Sequence, residues 1–240
     1  MSKIYESPKL VDEYLLFHYG RPEEILPWAG GPQEALDFPL RTVGHFTAGG
    51  VGRALDVGCA VGRSALEMSS GAEEVVGIDF SEAFIRAAKE VRDGQRPEYR
   101  RLEEGGVSTL LRAETPEEVL PERVSYEVGD AMNLRADLGA FDRVHAANLV
   151  CRLPEPRRFL RRLPQLVVPG GELVLATPCT WLEEFTVQEN WPEGRTKEWL
   201  QRELEGEFLL QRCEDEPFLI RETARKFQWT MSLVTVWVRK

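Results

Sequence analysis

Three aspartates fall at or near the ends of apolar, β-branched runs: Asp56 in RALDVG, Asp79 closing EVVGID and Asp130 closing VSYEVGD. Carboxylates spaced in this way can accept hydrogen bonds from a ligand lying along one edge of a sheet. The first run continues as Ala54-Leu-Asp-Val-Gly-Cys-Ala-Val-Gly-Arg-Ser64, with Asp56, Gly58, Ala60 and Gly62 at alternate positions. Small residues there let the backbone approach a bound molecule closely. A dinucleotide site would want G-x-G-x-x-G ahead of a helix, and Gly58-Cys-Ala-Val-Gly-Arg lacks its second and third glycines, which disfavours a nicotinamide oxidoreductase.

The elements that must carry these residues follow from the pattern. Short apolar runs alternate with helical ones from Arg53 onward, the signature of a parallel sheet covered on both faces. Strands are expected at RALDVG, EVVGID, VSYEVGD, FDRVHAAN, GELVLATP, FLLQRC and SLVTVWVR, and helices at RSALEMSS, SEAFIRAAKEVR and EPRRFLRRLPQL, where Pro164 should end or kink the helix. The last two strand patterns have no normal crossover helix between them, so the final strand should be antiparallel and FLIRETARKFQW should lie over the carboxyl edge of the sheet, where open α/β sheets bind ligands. The expected organisation is one α/β domain over residues 1–240, with a lid or cap segment at 1–50, a hairpin-like insertion at about 95–122 around Gly105-Gly106, and a second insertion at about 181–205.

Ahead of the sheet, DEYLLFHYG is apolar or aromatic on more than one face of a helical wheel. Ser7 suits its N-cap, Pro8 its first turn and Gly20 the position past its end. Tyr14 and His18 fall on one face, with Leu15 and Tyr19 on an adjacent one, so the helix can rest on the body while covering a ligand.

Composition narrows the field. The 240 residues are 42% hydrophobic and 29% charged, which suits a globular chain with a substantial core. No apolar run approaches the ~18 residues of a membrane span and the first residues lack a signal-peptide pattern, so a cytoplasmic protein is expected. A net charge of −10, with no dense basic stripe, argues against nucleic acid as partner and leaves a small molecule. Cys59, Cys151, Cys179 and Cys213 are widely spaced with no CxxC pair, so neither a zinc site nor a disulfide framework is expected.

The glycine-rich stretch resembles the D-x-G-x-(G/A)-x-G loop of class I S-adenosylmethionine-dependent methyltransferases, with Asp79 and Gly129-Asp130-Ala131-Met132 at the next two strand ends. That resemblance implies a Rossmann-like seven-stranded fold and gives each residue a task. Asp79 would accept from both ribose hydroxyls, Phe80 and Met132 would sandwich the adenine, and Asp130 with the backbone of Ala131 would read its edge. Asp56, Gly58, Ala60 and Gly62 would hold the methionine moiety, with Arg41 of FPLR a candidate for its carboxylate. The bland alternative is that the acids only cap helices.

Four longer segments, YESPKLVDEYLLFHYG, GDAMNLRADLGAFDRVHAANLVCRLPEP, TPCTWLEEF and PFLIRETARKFQWTMSLVTVW, resemble the 4-mercaptohistidine N-methyltransferases of ovothiol biosynthesis, most often the C-terminal domain of a bifunctional 5-histidylcysteine sulfoxide synthase. With only His18, His45 and His145, and no His-x-x-x-His-x-Glu, the iron-dependent carbon–sulfur chemistry is missing, and the resemblance implies methylation alone. The acceptor it implies is 4-mercaptohistidine or its selenium analogue. The alternative is another small amine, imidazole or thiol, and a third possibility is an idle fold serving as a binding subunit.

An attacking ring nitrogen must present its lone pair, so a neighbour has to fix its tautomer or take its proton. Asn148, His18 and Tyr14 are the candidates for that work, with Tyr19 beside them in the acceptor site. Arg152, Arg221 and Arg225 could fork the acceptor's carboxylate and Glu222 could meet its ammonium. His145, inside an apolar strand, reads as a satisfied core histidine.

Overall fold

The computed structural model describes residues 3–240. Chain order gives helices α1 (Pro8–Tyr19), α2 (Pro22–Ile25) and α3 (Phe38–Val43), strand β1 (Val51–Val57), α4 (Arg63–Met68), β2 (Ala72–Asp79), α5 (Glu82–Arg92), β3 (Glu98–Glu104), β4 (Val107–Arg112), β5 (Val124–Val128), β6 (Phe141–Ala147), α6 (Pro156–Leu166), β7 (Val167–Thr177), α7 (Thr196–Leu204), β8 (Phe208–Arg221) and β9 (Phe227–Arg239). Seven strands form one sheet in the order β5-β2-β1-β6-β7-β9-β8, while β3 and β4 form a separate hairpin turning at Gly105-Gly106. Pairing is parallel from β5 through β7 and antiparallel at β7–β9 and β8–β9, as the missing crossover helix predicts. Each face of the sheet carries its own apolar cluster, one including Leu15, Leu66, Phe84 and Phe218 and the other Leu55, Phe159, Leu163 and Trp199.

Helices form where side-chain caps and apolar spacing agree. Ser81 accepts from Phe84 N–H to start α5, which buries Ala83, Phe84, Ala87, Ala88 and Val91 on one side. Ser7 caps α1, Pro8 is its first residue and Gly20 follows its end. Gly20 is needed for space and not for a left-handed turn: its φ is −64°, yet a Cβ there would sit 2.5 Å from the Leu16 carbonyl oxygen. No helix among the described residues is long and apolar enough to cross a membrane.

Two expectations about element ends are corrected. Pro164 does not stop α6, which runs on to Leu166; a proline so close to the C-terminus removes only one N–H, and the burial of Leu163 and Leu166 holds the final turn. The sixth strand of the sheet extends well past Cys213, because β8 and β9 stay paired from Phe208↔Arg239 to Arg221↔Phe227. The stretch expected as a covering link is therefore mostly strand, with a short turn at residues 222–226. Its placement follows from register: β7 pairs with β9 only as far as Thr177↔Leu233, so the distal half of the β8–β9 hairpin projects beyond the carboxyl edge of the sheet. There Phe218 packs on Phe38 (centroids 5.0 Å apart) and Phe17 (6.1 Å), joining the hairpin to the N-terminal helices as a cap.

Candidate functional site

At the carboxyl ends of β1, β2 and β5 the backbone binds itself into one ledge. Gly58 and Cys59 donate to the Ile78 carbonyl (2.7 and 3.1 Å), and Gly129 donates to that of Asp79 (2.9 Å). The Asp79 carboxylate accepts from Ala60 N–H and Ser81 N–H, both at 2.9 Å, so it braces the glycine-rich loop and does not cap α5, which Ser81 does. Burial pushes the Asp79 carboxyl up to about 6, against the pull of those two N–H groups.

Three loop residues have positive φ: Gly58 (76°), Ala60 (48°) and Gly62 (90°). A Cβ at Gly62 would meet the Tyr126 hydroxyl at 2.5 Å, while the Tyr126 O–H donates to the Gly62 carbonyl at 2.6 Å, so glycine is required for both conformation and space. Ala60 tolerates the left-handed region at a modest cost, typical of a strained functional turn.

Beneath the loop, His145 Nδ1 meets Asp56 Oδ1 at 2.8 Å and its Nε2 meets Thr42 Oγ1 at 3.1 Å, so His145 is the satisfied interior histidine its strand implied. Asp56 is 1% exposed and its Oδ2 has no hydrogen-bond partner among the described residues. A buried carboxylate oxygen left in this way calls for a donor. Phe80, 45% exposed, projects next to Asp79; Met132 is buried and Ala131 lies against it. Asp130 caps the short turn at Ala131–Asn133 by accepting from Met132 N–H at 2.8 Å. A buried acid with one oxygen unsatisfied, a half-buried strand-end carboxylate, an exposed aromatic face and a loop with no room for side chains form a donor and acceptor set that fits an adenosyl group with an amino acid tail.

Helix α1 closes against this ledge. Tyr19 O–H donates to the Val61 carbonyl (2.8 Å), and Arg63 NH1 donates to the His18 carbonyl (3.2 Å). Tyr14 and His18 stack with centroids 5.9 Å apart, and Tyr14 lies 4.8 Å from Phe84. His18 is driven down to about 3 by burial, helped by the Arg63 guanidinium, so its ring is neutral; its Nδ1 is buried without a partner among the described residues. Burial raises the Tyr14 hydroxyl well above the ordinary tyrosine range.

On the other side of the edge, Asn148 follows β6 in a left-handed turn (φ 54°), donates its backbone N–H to Ala176 (2.8 Å) and accepts from Ser232 Oγ (2.7 Å) on the hairpin.

Several residues named from sequence are engaged elsewhere. Tyr19 spends its hydroxyl on the loop backbone and is a staple for α1. Arg41 is drawn into an ion pair with Glu216 and donates to the Pro217 carbonyl, because the hairpin passes directly beside α3. Arg221 is 5% exposed, pairs with Glu103 (2.6 Å) and donates to the Glu24 carbonyl (2.8 Å), tying the two hairpins to α2. Glu222 bonds Lys226 and Gln228 (2.5 and 2.6 Å) at the hairpin turn, where Arg225 is exposed. Of the acceptor-side charges only Arg152, in the turn after β6, stays next to Tyr14.

Sequence reasoning missed Tyr5 and Glu6. The Tyr5 carbonyl accepts from Ser81 Oγ (3.0 Å), and the Glu6 carboxylate accepts from Glu82 and Ala83 N–H (3.0 and 3.2 Å) at the first turn of α5. The available signal was an aromatic and an acidic residue just before a capping serine.

The family model described as a methyltransferase domain matches residues 55–175, half of the chain. Over 159 residues the chain is 24% identical to the tocopherol O-methyltransferase, chloroplastic, of Arabidopsis thaliana, covering 65% of this chain and 36% of that protein. Methyltransferase GfsG of Streptomyces halstedii is 30% identical over 126 residues (52% and 37%), and the norajmaline N-methyltransferase of Rauvolfia serpentina 25% over 122 residues (50% and 34%). The chain thus spans little more than a third of the length of these relatives. Among solved structures, one described as "Conversion of a Disulfide Bond into a Thioacetal Group during Echinomycin Biosynthesis" aligns with 98% of this chain and 93% of its own at a TM-score of 0.57 and 17% identity, and N-methyltransferase NodS from Bradyrhizobium japonicum WM9 aligns with 84% and 92% at 0.53 and 15%. At such identities these likenesses speak for the fold. The family match rests on the same strands and glycine-rich ledge, and by it the chain belongs to the methyltransferase domain family, with S-adenosylmethionine as its cofactor.

Proposed function

We propose that residues 1–240 form one methyltransferase unit that transfers a methyl group to an imidazole ring nitrogen of 4-mercaptohistidine (5-thiohistidine) or its selenium analogue, giving an ovothiol-type product. The observation that carries this reading is the stacked Tyr14–His18 pair closed over the carboxyl edge, with His18 neutral and its Nδ1 unpartnered. An aromatic, uncharged ceiling suits a neutral heteroaromatic acceptor whose lone pair must stay free. The resemblance of four long segments to the ovothiol N-methyltransferases is what supports the acceptor's identity.

When bound, S-adenosylmethionine supplies an electrophilic methyl group on a sulfonium. The residues of this chain then bind, orient and exclude water. Asp79 would accept from the ribose hydroxyls, Asp56 Oδ2 would meet the amino group of the methionine moiety, Phe80 and Met132 would flank the adenine, and Asp130 with Ala131 would read its edge. Asn148, held at its carbonyl oxygen by Ser232, offers its amide N–H2 toward the acceptor. His18 and Tyr14 fix the ring and its tautomer. Holding the reactants in line can supply ~7 to 11 kcal/mol, so no covalent nucleophile is needed.

The test is incubation of the purified protein with S-adenosylmethionine and 4-mercaptohistidine or its selenium analogue, with products resolved by mass spectrometry and NMR. The expected product carries one methyl group on a ring nitrogen, and histidine itself is a poor acceptor. Methylation of other amines or thiols with these two left untouched would replace this acceptor with another small molecule.

A further inference from the structure

An amino acid acceptor brings a carboxylate, and the fold leaves one of its three candidate arginines to receive it. Arg221 is buried with its own carboxylate partner, Glu103. Arg225 stands exposed in the hairpin turn. Arg152 differs from both. It is half-buried in the turn after β6, and its guanidinium lies over Phe185 at 4.9 Å. NH1 donates to the Thr180 carbonyl (2.8 Å) and the Cys151 carbonyl (3.2 Å), and NH2 donates to Thr180 Oγ1 (3.3 Å). Among the described residues Nε makes no hydrogen bond and no acidic side chain lies within ion-pair distance of the group.

The guanidinium is thus oriented by neutral groups, with Nε–H and one N–H of NH2 left over. Those two donors are the edge of the fork that takes a carboxylate bidentately. An oriented cation without a counter-ion, at the rim of a site, favours an anionic ligand group.

Tyr5 stands beside it. The ring packs within 6.4 Å of Tyr14 and 6.3 Å of Phe185, and burial lifts its hydroxyl while the Arg152 charge opposes that lift. The Tyr5 backbone is fastened to Ser81, two residues past Asp79, so its ring hangs from the cofactor side of the edge toward the acceptor side.

We infer that Arg152 and the Tyr5 hydroxyl form the subsite for the acceptor's α-carboxylate. This rests on the reading of the acceptor as a thiolated or selenylated histidine. It makes Tyr5 and Arg152 specificity residues: they select amino acids over the corresponding amines and point the ring toward Asn148 and His18. The carboxylate lies across the Arg152 edge and accepts a second hydrogen bond from the Tyr5 O–H.

The experiment compares kcat/KM for 4-mercaptohistidine and for its decarboxylated counterpart, 4-mercaptohistamine, in the full chain, with S-adenosylhomocysteine affinity as the control for an intact fold. The unsubstituted protein should prefer the amino acid. Arg152→Gln should shrink that preference about 10- to 150-fold, mainly through KM for the amino acid, since hydrogen bonds to a charged group carry an effect of this size. Arg152→Lys should restore part of it, and Tyr5→Phe should shrink it about fivefold. If Arg152→Gln fails to fold, Tyr5→Phe reads the same ratio with one hydroxyl removed. Preference retained in the variants, with both acceptors turned over, overturns the subsite alone. Turnover of neither acceptor by the unsubstituted protein overturns the proposed function, and the subsite with it.

Discussion

The two halves of the carboxyl edge are built in opposite ways. On the cofactor side, Asp56, Gly58, Ala60, Gly62, Asp79 and Asp130 stand at or just past the ends of three adjacent strands, β1, β2 and β5, and their contacts run largely through backbone N–H and C=O groups. On the acceptor side, the cap is assembled from α1, the β3–β4 hairpin and the tip of β8–β9, which are held through side chains far apart in sequence, such as Glu103 with Arg221 at 118 residues and Asn148 Oδ1 with Ser232 at 84. The first half is fixed by the sheet itself. The second is held by contacts that side-chain substitutions can undo one at a time.

The sharpest way to break this contrast is to cut the cap. Arg221→Ala removes the donor to Glu103 Oε2 and to the Ile25 carbonyl, while Arg101 still donates to the Glu24 carbonyl and Arg101 and Thr109 still hold the other Glu103 oxygen. Losing these hydrogen bonds to a charged group should lower stability by about 2 kcal/mol, and thermal unfolding should shift down by several degrees. S-adenosylhomocysteine affinity at a temperature where the variant is folded should stay within about threefold of the original. A parallel collapse of that affinity in calorimetry would mean that the two halves are one unit.

The converse substitution acts on the ledge. Asp79→Asn keeps shape but removes the charge from the two proposed ribose hydrogen bonds, and should weaken S-adenosylhomocysteine by about 100-fold, ~2.7 kcal/mol. Its melting temperature should fall by a few degrees, because the new amide NH2 faces the N–H of either Ala60 or Ser81, although the neutral side chain avoids the burial penalty of the charged carboxylate. Unchanged affinity would remove Asp79 from the cofactor site.

The same contrast explains what could be read from the chain before its structure. The glycine-rich loop and its acids were legible because each lies within a few residues of an apolar run, so spacing alone places it at a strand end. The antiparallel end of the sheet followed from the missing crossover helix. Arg221 was misjudged because its partner, Glu103, lies on an inserted hairpin, and no periodicity ties a residue on β8 to one on β3. Arg41 went to Glu216 for the same reason. Tyr5 escaped notice because its importance comes from where Ser81 and Arg152 put it and not from its neighbours in sequence. The long hairpin extension was hidden by Pro217, which breaks a strand pattern but is tolerated on the outermost strand of the sheet.

A smaller effect separates the lid from the ledge. Tyr14→Phe and His18→Ala remove a hydroxyl and a ring that face the proposed acceptor while leaving Tyr19 and Arg63 to hold α1 down. Each should lower kcat about 10- to 30-fold with S-adenosylhomocysteine binding nearly intact. Normal turnover in both would reduce α1 to packing.

The mildest probe is pH, and it tests the ledge without altering a residue. Asp79 titrates near 6 in the free folded protein, raised from about 3.8 by burial. A protonated Asp79 has lost the charge that strengthens the two proposed ribose hydrogen bonds, so on that proposal proton and cofactor compete for the same carboxylate. The sign follows directly: S-adenosylhomocysteine binding is at its full strength above about pH 7 and is lost as pH falls through 6, reaching about tenfold weaker at pH 5. His18, lowered to about 3, stays neutral across this window and adds nothing to the slope. Because burial raises the Asp79 value, its ionisation lowers the stability of the free protein as pH rises from about 4 to about 6, and bound cofactor offsets that loss. Calorimetry from pH 5 to 8 should therefore show proton release on binding below pH 6 and none above 7, and the slope should vanish in Asp79→Asn. A flat affinity over that range would put the proton-sensitive carboxylate outside the cofactor contact and leave the ribose to backbone groups alone.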